Sequence, residues 1–516
     1  MAEPLILGID VGTASSKGVL ATPDGTVVAS AQRPHEVEQP LPGQFEQDAD
    51  AVWWGDTVWL ARKLLAGITA GRLCGVCVSG LGPSVVLCDA AQRPLRPAIL
   101  YGIDTRAQAE IEELDALLGR DAILARGGSA LSSQALGPKL LWLRRNDPDA
   151  WERMARWHTT SSFLVARLTG ESVLDHHSAS QCDPLYDLTT GGWAADWYGR
   201  ICGDVALPRL LWPHEVAGSV TADAARETSI PVGTPVMAGT IDAWAEAFSV
   251  GVQEQGDLML MYGSTMFLVQ VAAPDAKPHP TLWLTEGVAP GRRTYSAGMA
   301  TSGSLTEWVR RLTGYLPIAE LASEAGAVAA GSDGLVLLPY FAGERSPLFD
   351  PCAGGVIAGL NLGHTRAHML RAAYEGIACA TRHNLDVIAE VAGPPSRVVA
   401  VGGGLRSGPW AQIVSDVTQL PQEIPANATG ASYGDARFAA IGAGLITGTS
   451  PWASVAGVIE PNPEVAPLYE RLYELYRELY PATEDIVHAA RLLAQPGEGV
   501  NLDRSFATTA GGGGRG

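Results

Sequence analysis

The sequence is short of positive charge: 36 lysines and arginines stand against 55 aspartates and glutamates, a formal net charge of −19 at pH 7 over 516 residues. No basic run is present to displace counterions from phosphates, which argues against nucleic acid or an anionic membrane as a partner. An acidic chain that binds a polyphosphate has to use local backbone N–H groups and a metal ion rather than a general positive field. Long apolar runs are lacking too, so no stretch reaches the length of a bilayer-spanning helix. Met1-Ala2-Glu3-Pro4 carries no basic segment ahead of an apolar one, and the expectation is a cytosolic protein. Cysteine is sparse and odd in number, seven scattered among apolar neighbours, so no disulfide framework is expected. Cys74 and Cys77 do form a Cys-x-x-Cys, but Leu73-Cys-Gly-Val-Cys-Val78 reads as a buried strand with no second ligand pair, which argues against a zinc or redox role.

Two common nucleotide motifs are also missing. Gly12-Thr-Ala-Ser-Ser-Lys17 lacks the second glycine of a Walker A loop before its lysine, and Gly18 follows instead of serine or threonine. Gly402-Gly403-Gly404 is followed by Leu405, Arg406 and Ser407 before Gly408, a spacing that fails the dinucleotide fingerprint. Any ATP is held in another way.

What is present is a folded α/β chain. Apolar residues are 47% and charged residues 18%, and the length allows two large domains. Short β-branched runs alternate with longer amphipathic stretches. Leu5–Val11 passes a Gly12-Thr13 turn into a return strand from Gly18, and Pro23-Asp24-Gly25 turns the chain into Thr26–Ser30, so three antiparallel strands open the protein. About 250 residues on, Asp257–Tyr262 runs into Gly263-Ser264-Thr265, and Phe267–Ala272 returns. Two strand-turn-strand hairpins, one at the head of each half, predict duplicated domains facing each other across a cleft. Turns rich in glycine, serine and threonine let phosphate oxygens approach the backbone without net positive charge. A third glycine site, Val401 followed by Gly402, Gly403 and Gly404, leads into a helix expected from about Pro409 to Val417 and offers bare backbone to a flat ligand.

These residues together resemble the FGGY family of carbohydrate kinases. The matching segments run in order from Gly8-Ile-Asp-Val-Gly-Thr13 through Gly43-Gln-Phe-Glu-Gln-Asp48, Asp104-Thr-Arg106 and Gly137–Leu143. They continue with Gly239-Thr-Ile-Asp-Ala243, Gly263-Ser-Thr265, Gly343-Glu-Arg-Ser-Pro347, Arg371–Gly376 and Val401–Gly404, which covers nearly the whole chain. The resemblance implies two actin-like, ribonuclease H-like α/β domains, residues 1–246 and 247–492, with a catalytic cleft between them and a disordered tail over 493–516. It implies ATP-dependent phosphorylation of a hydroxyl on a small sugar or polyol. A ketopentose such as xylulose leads, with ribulose, gluconate or a glycerol-like polyol as alternatives, and a homodimer is the default assembly.

Carried onto this sequence, Gly12, Thr13, Gly263, Ser264 and Thr265 look like the phosphate-binding turns. Gly402, Gly403, Gly404 and Ser407 look like the adenosine side, and Asp242 matches the catalytic base. A sugar hydroxyl is a poor nucleophile until a positioned carboxylate begins to take its proton. Asp10, at a strand end beside the first turn, is the expected ligand for Mg²⁺, which takes hard oxygen donors. Gly82, Asp104 and Arg106 are the expected substrate contacts alongside Asp242. The sequence departs from the xylulose kinases of that family at the sugar: Gly80-Leu-Gly-Pro-Ser84 lacks the polar donors of their loop, and Gly102-Ile103 replaces a tryptophan and an asparagine. A more open or differently shaped pocket is expected. Lys17 is expected to be a solvated strand lysine, and Trp53-Trp54 to pack on the first sheet in preference to a sugar. The helix from about Thr365 to Val391 is expected to be architectural, one face packed and the other charged. An actin-like ATPase or a sugar-binding regulator would share the scaffold; Asp242 with the Asp-x-Arg loop favours the kinase, and no helix-turn-helix precedes Leu5.

Overall fold

The computed structural model describes residues 3–426, 430–448 and 452–493. The tail expected over 493–516 lies outside them, except for Leu493.

The first sheet has seven strands: β1 (Leu5–Val11), β2 (Ser15–Ala21), β3 (Val27–Pro34), β4 (Leu73–Gly80), β5 (Val216–Ser219), β6 (Pro235–Met237) and β7 (Thr240–Ile241). Its order is β5-β6-β4-β1-β2-β3, with β7 also on β4; β1 pairs antiparallel with β2 and parallel with β4. Every residue of β1 is buried, as expected of a central strand covered on both faces. Leu5, Leu7, Ile9 and Val11 point to one core, shared with α1 (Gly55–Leu65) and α2 (Thr160–Thr169), while Ile6 points to another. β3 alternates half-buried and exposed positions, the pattern of an edge.

α3 (Asp242–Ser249) leads to the second sheet, also of seven strands: β8 (Asp257–Tyr262), β9 (Met266–Ala272), β10 (Trp283–Glu286), β11 (Arg293–Gly298), β12 (Arg397–Val401), β13 (Gln422–Pro425) and β14 (Val455–Ile459). β8 pairs antiparallel with β9 and parallel with β12, repeating the β1-β2-β4 arrangement, and β9 pairs with β11 as β2 does with β3. The duplication expected from the two hairpins is therefore a duplication of sheet topology.

The helices of the second half include α4 (Gly303–Leu312), α5 (Arg366–Ala392), α6 (Trp410–Thr418), α7 (Ala431–Gly442) and α8 (Ala466–Leu493). α5 matches its expected span, but its charged residues are not all on a solvated face. Arg371 and Glu375 are buried under α8, where Arg371 Nε donates to Glu375 at 3.0 Å and Tyr469 bonds both. Tyr469 and the Ser332 hydroxyl, 2.6 Å from Glu375, supply the hydrogen bonds that a buried pair requires.

The division at 246/247 does not fit the packing. It cuts α3, whose Trp244 and Ala247 pack on the second sheet while Ala245 and Phe248 pack toward the first. α7, late in the chain, returns to the first sheet: Ala436, Ala439 and Ala440 share a core with Ile6, Val19 and Cys77. Small residues let α7 come close to its neighbours, and a Cβ on Gly434 would stand 2.0 Å from the Ala245 carbonyl oxygen of α3. All seven cysteines are free, Cys77 buried in β4 as read.

Candidate active site

Asp242 opens α3, held there by the extended Ile241 before it, and its Oδ1 accepts from the Ala243 N–H at 2.8 Å. It is the first helical residue rather than the cap. Its carboxyl faces a cavity of about 180 Å³ between the sheets, space for on the order of ten waters and so for a small sugar. Burial, then the negative charge of Asp10, push Asp242 well above the ordinary carboxylate range. Glu246, one helical turn on, is raised to about 7 by burial and by Asp10. Asp10 is the next-to-last residue of β1 and is raised as well, burial outweighing the nearby Lys17 charge and the Ser79 hydroxyl 3.2 Å from its Oδ1. The same hydroxyl donates to Asp435 of α7 at 2.6 Å, which burial holds well above its usual range. Lys17, left aside as a solvated lysine, pairs with Asp10 across β1–β2 and its charge acts on Asp10, Asp242 and Glu246. Glu246 was missed, although its i+4 spacing from Asp242 carries a signal that could have found it; the approach of α7 carries none.

The turns are where the sequence put them. Gly12 N donates to Ser15 O at 3.2 Å, and the Thr13 hydroxyl lies 3.0 Å from the Tyr101 hydroxyl of the cavity wall. Gly263 N donates to Thr265 O at 3.1 Å; Ser302 N and Ser304 N, at the start of α4, donate to Ser264 O at 3.0 Å, and Thr265 lines the cavity. Gly402 has φ of +101°, and a Cβ there would stand 2.5 Å from Tyr262 O, so only glycine fits. Gly404 rests against the Trp410 ring, Gly403 has open space above its Cα, and Ser407 N closes the turn on Gly404 O at 2.9 Å.

The expected sugar contacts divide. Gly82 lines the cavity against Ile241, and Gln134 spans the loop that the sequence leaves without polar side chains: its Nε2 donates to Gly82 O at 3.2 Å and its Oε1 accepts from Gly102 N at 3.0 Å. Asp104 and Arg106 are corrected. Neither lines the cavity, because Arg106 forks onto Asp104 at 2.8 to 3.0 Å, reaches Glu46 at 2.6 Å and lies over the Trp142 ring. Trp53 and Trp54 pack in the first domain, their indole N–H groups on Gln47 and Glu227.

Sequence reasoning missed most of the remaining wall. Trp244 lies on the His177 ring, centroids 4.0 Å apart, and donates to the Thr294 hydroxyl at 2.9 Å. Burial holds His177 down at about 3, so it is neutral: Nδ1–H donates to Glu286 O at 2.7 Å and Nε2 accepts from Gln181 at 2.9 Å. Gln181, Asp183, Ser129 and, from the second domain, Phe267, Trp283 and Arg345 also line the cavity. The stretches carrying Ser129, Gln181 and Asp183 hold no motif, so no pattern pointed to them.

Two duplicated halves of the actin-like fold around one acidic cavity define an ATP-dependent phosphotransferase architecture. The chain belongs to the FGGY family of carbohydrate kinases, whose N-terminal-domain profile matches residues 5–249 and C-terminal-domain profile residues 258–443. Among curated relatives it is similar to a xylulose kinase of Streptomyces coelicolor, 31% identical over 88% of this chain and 92% of that one, and to one of Lactococcus lactis, 28% identical over 94% and 98%. Among solved structures it is similar to xylulose kinase from Rhodospirillum rubrum, with a TM-score of 0.87, 34% identity, and coverage of 94% of this chain and 100% of that one. The protein is thus a sugar kinase with ATP as a substrate. No helix among the described residues is long and apolar enough to cross a membrane.

Proposed function

We propose that this kinase transfers the γ-phosphoryl group of ATP to a hydroxyl of a ketopentose, xylulose first, with Asp242 as the base. The observation that carries the chemistry is Asp242 on the cavity wall with its proton affinity raised by burial and by Asp10. A carboxylate tuned upward in this way can hold an acceptor proton as the hydroxyl oxygen attacks. Relatives named as xylulose kinases, at 28 to 34% identity over most of the chain, support the ketopentose. Gly12 and Thr13 hold phosphate from the first domain, and Gly263, Ser264 and Thr265 from the second. Gly402 to Gly404, with Ser407, carry the adenosine side. The N-terminal unit supplies the base and most of the sugar wall, the C-terminal unit the rest of that wall and the nucleotide surface.

Magnesium fits the donor set: the Asp10 charge raises the proton affinity of both Asp242 and Glu246, and Glu246 adds to that of Asp242, with the Lys17 charge acting on all three, an arrangement a divalent cation relieves. Asp10 would hold it, and when bound it supplies charge neutralisation on the phosphate oxygens. Asp242 takes the proton, Tyr101 and Thr13 tie the sugar wall to the first turn, and the Trp244, Phe267 and Trp283 rings exclude water.

Coupled ADP detection over ketopentoses, aldonates and polyols tests the acceptor; turnover confined to aldonates or to glycerol-like polyols would defeat the ketopentose assignment. Asp242→Asn is expected to lower kcat by about 10²–10⁴-fold with the fold intact by circular dichroism. Near-normal turnover would remove Asp242 as the base.

A further inference from the structure

Two buried polar groups in the cavity wall have no use in the fold. Asp183 is 5% exposed and Ser129 2%, both line the cavity, and neither Asp183 Oδ1 nor Ser129 Oγ has a hydrogen-bond partner among the described residues. Burying a carboxyl without partners is costly, so such groups are retained where something else satisfies them. The residue against Asp183 is Gly127, at the end of the helix Arg120–Gly127, where a Cβ would stand 2.3 Å from Asp183 Oδ1, so no side chain covers the carboxyl from there. Beside them, Gln181 gives its amide N–H to His177, which leaves its oxygen as an acceptor. Trp244, Phe267 and Trp283 add apolar faces to the same cavity. Oxygens that want donors, set among aromatic rings, match a molecule with hydroxyls and C–H faces.

We propose that Asp183, with Ser129, is a specificity-determining residue that reads one hydroxyl of the acceptor other than the one phosphorylated. This rests on the sugar-kinase reading of the same cavity. Asp183 touches the substrate without exchanging a proton in the reaction, so its loss acts on acceptor binding and leaves the chemical step at Asp242 in place. An unsatisfied buried carboxyl also weakens the ligand-free fold, a feature a merely structural residue would not show.

The test uses the full chain. Wild type, Asp183→Asn, Asp183→Leu and Ser129→Ala are compared by steady-state kinetics with the best acceptor of the panel, by sugar titration calorimetry without ATP, and by ligand-free Tm. Expected are a KM and a sugar Kd at least tenfold higher for Asp183→Asn, kcat within about threefold of wild type, and a ligand-free Tm of Asp183→Leu equal to or above wild type. One monodeoxy analogue of the acceptor is expected to bind wild type as weakly as the parent sugar binds Asp183→Asn, and to lose nothing further with that variant. Unchanged KM and Kd in Asp183→Asn overturn the proposal, as does a loss of Tm in Asp183→Leu with sugar binding retained. If the wild type prefers another sugar to a ketopentose, the acceptor assignment falls while Asp183 is still judged with that sugar; turnover of no sugar overturns both.

Discussion

Arg106 lays its guanidinium between Asp104 and Glu46 with its side chain 1% exposed, and Asp104 also accepts from Phe45 N at 2.7 Å. With Lys139 donating to the Leu100 and Tyr101 carbonyls at 2.7 and 2.8 Å, this clamps the loop that brings Tyr101 to the cavity. The Asp-x-Arg pair therefore acts on the sugar wall through Tyr101. Arg106→Met is expected to cost about 3–5 kcal/mol of stability, because it leaves Asp104 buried without its cation, while Glu46 keeps only Arg96. Urea unfolding measures this, and a variant as stable as wild type would contradict the clamp. His158 is a second structural residue with a pH signature. Burial lowers it to about 3 from 6.5, and its Nε2 bonds Gln92 at 2.8 Å. A depressed histidine contributes stability that is full above 6.5 and is lost as the pH falls toward 3, since only the unfolded chain takes the proton. The stability advantage of wild type over His158→Asn is expected to shrink by about 1.4 kcal/mol per pH unit below 6.5, read from urea midpoints at pH 7.5, 6 and 5. An advantage independent of pH would mean that His158 is not held neutral. At this scale the glycine turn at Gly402 was legible locally, because glycine turns announce themselves in sequence, whereas Asp242 was singled out only through the resemblance to the family. Asp183 and the inward turn of Arg106 were not, since the partner that decides a carboxylate's role lies far away in sequence.

The element that organises the site is α3. One of its faces belongs to the first sheet's core and the other to the second's, and its first residue is Asp242. Its fixed point is α7, where Phe248 stacks on Phe438 at 4.1 Å and Gly434 lies against the Ala245 carbonyl. Strands and hairpins were readable from period and turn residues, and so was α5 with its Gly393 stop. The return of α7 to β1 was not readable: an alanine-rich helix carries little periodic signal, and its partners in β1 and β2 are more than 400 residues back, as is the Gly25 O that Tyr433 reaches. Gly434→Ala would bring a methyl to 2.0 Å of the Ala245 oxygen, so α7 has to move away from α3. The expected outcome is a loss of about 1–3 kcal/mol and a fall in kcat that exceeds any rise in KM, because the Asp242 end of α3 shifts. Thermal melting and steady-state kinetics check it, and a Tm and kcat both at wild-type values would show that the two helices have slack.

At the level of the whole molecule, the halves touch along α3 and α7 and again along β10 and β11. In the second seam Leu284 N donates to Gly128 O at 3.3 Å, Glu286 N to the Ser180 hydroxyl at 3.0 Å and Arg293 to Leu188 O at 2.6 Å. Between these contacts lies a second cavity of about 380 Å³, behind Trp244 and walled by Phe248, Val288, Arg292 and Phe438. Its walls come from both domains, so the domains have room to approach before they jam. The proposed base opens the helix between the sheets while the Gly402 turn belongs to the second sheet, so sugar and nucleotide together favour the nearer arrangement, as in lids that assemble a site on closing. The radius of gyration is expected to fall when sugar and a non-hydrolysable ATP analogue are both present, and by less with either alone. Val288→Trp places bulk in the second cavity without touching the first. It is expected to remove that compaction and to lower kcat about tenfold, with overpacking costing about 1–3 kcal/mol. Small-angle scattering of both proteins with each ligand set decides the matter. Identical scattering in all states of the wild type would mean that the site is already assembled, and full compaction in Val288→Trp would mean that the second cavity is not where the domains close.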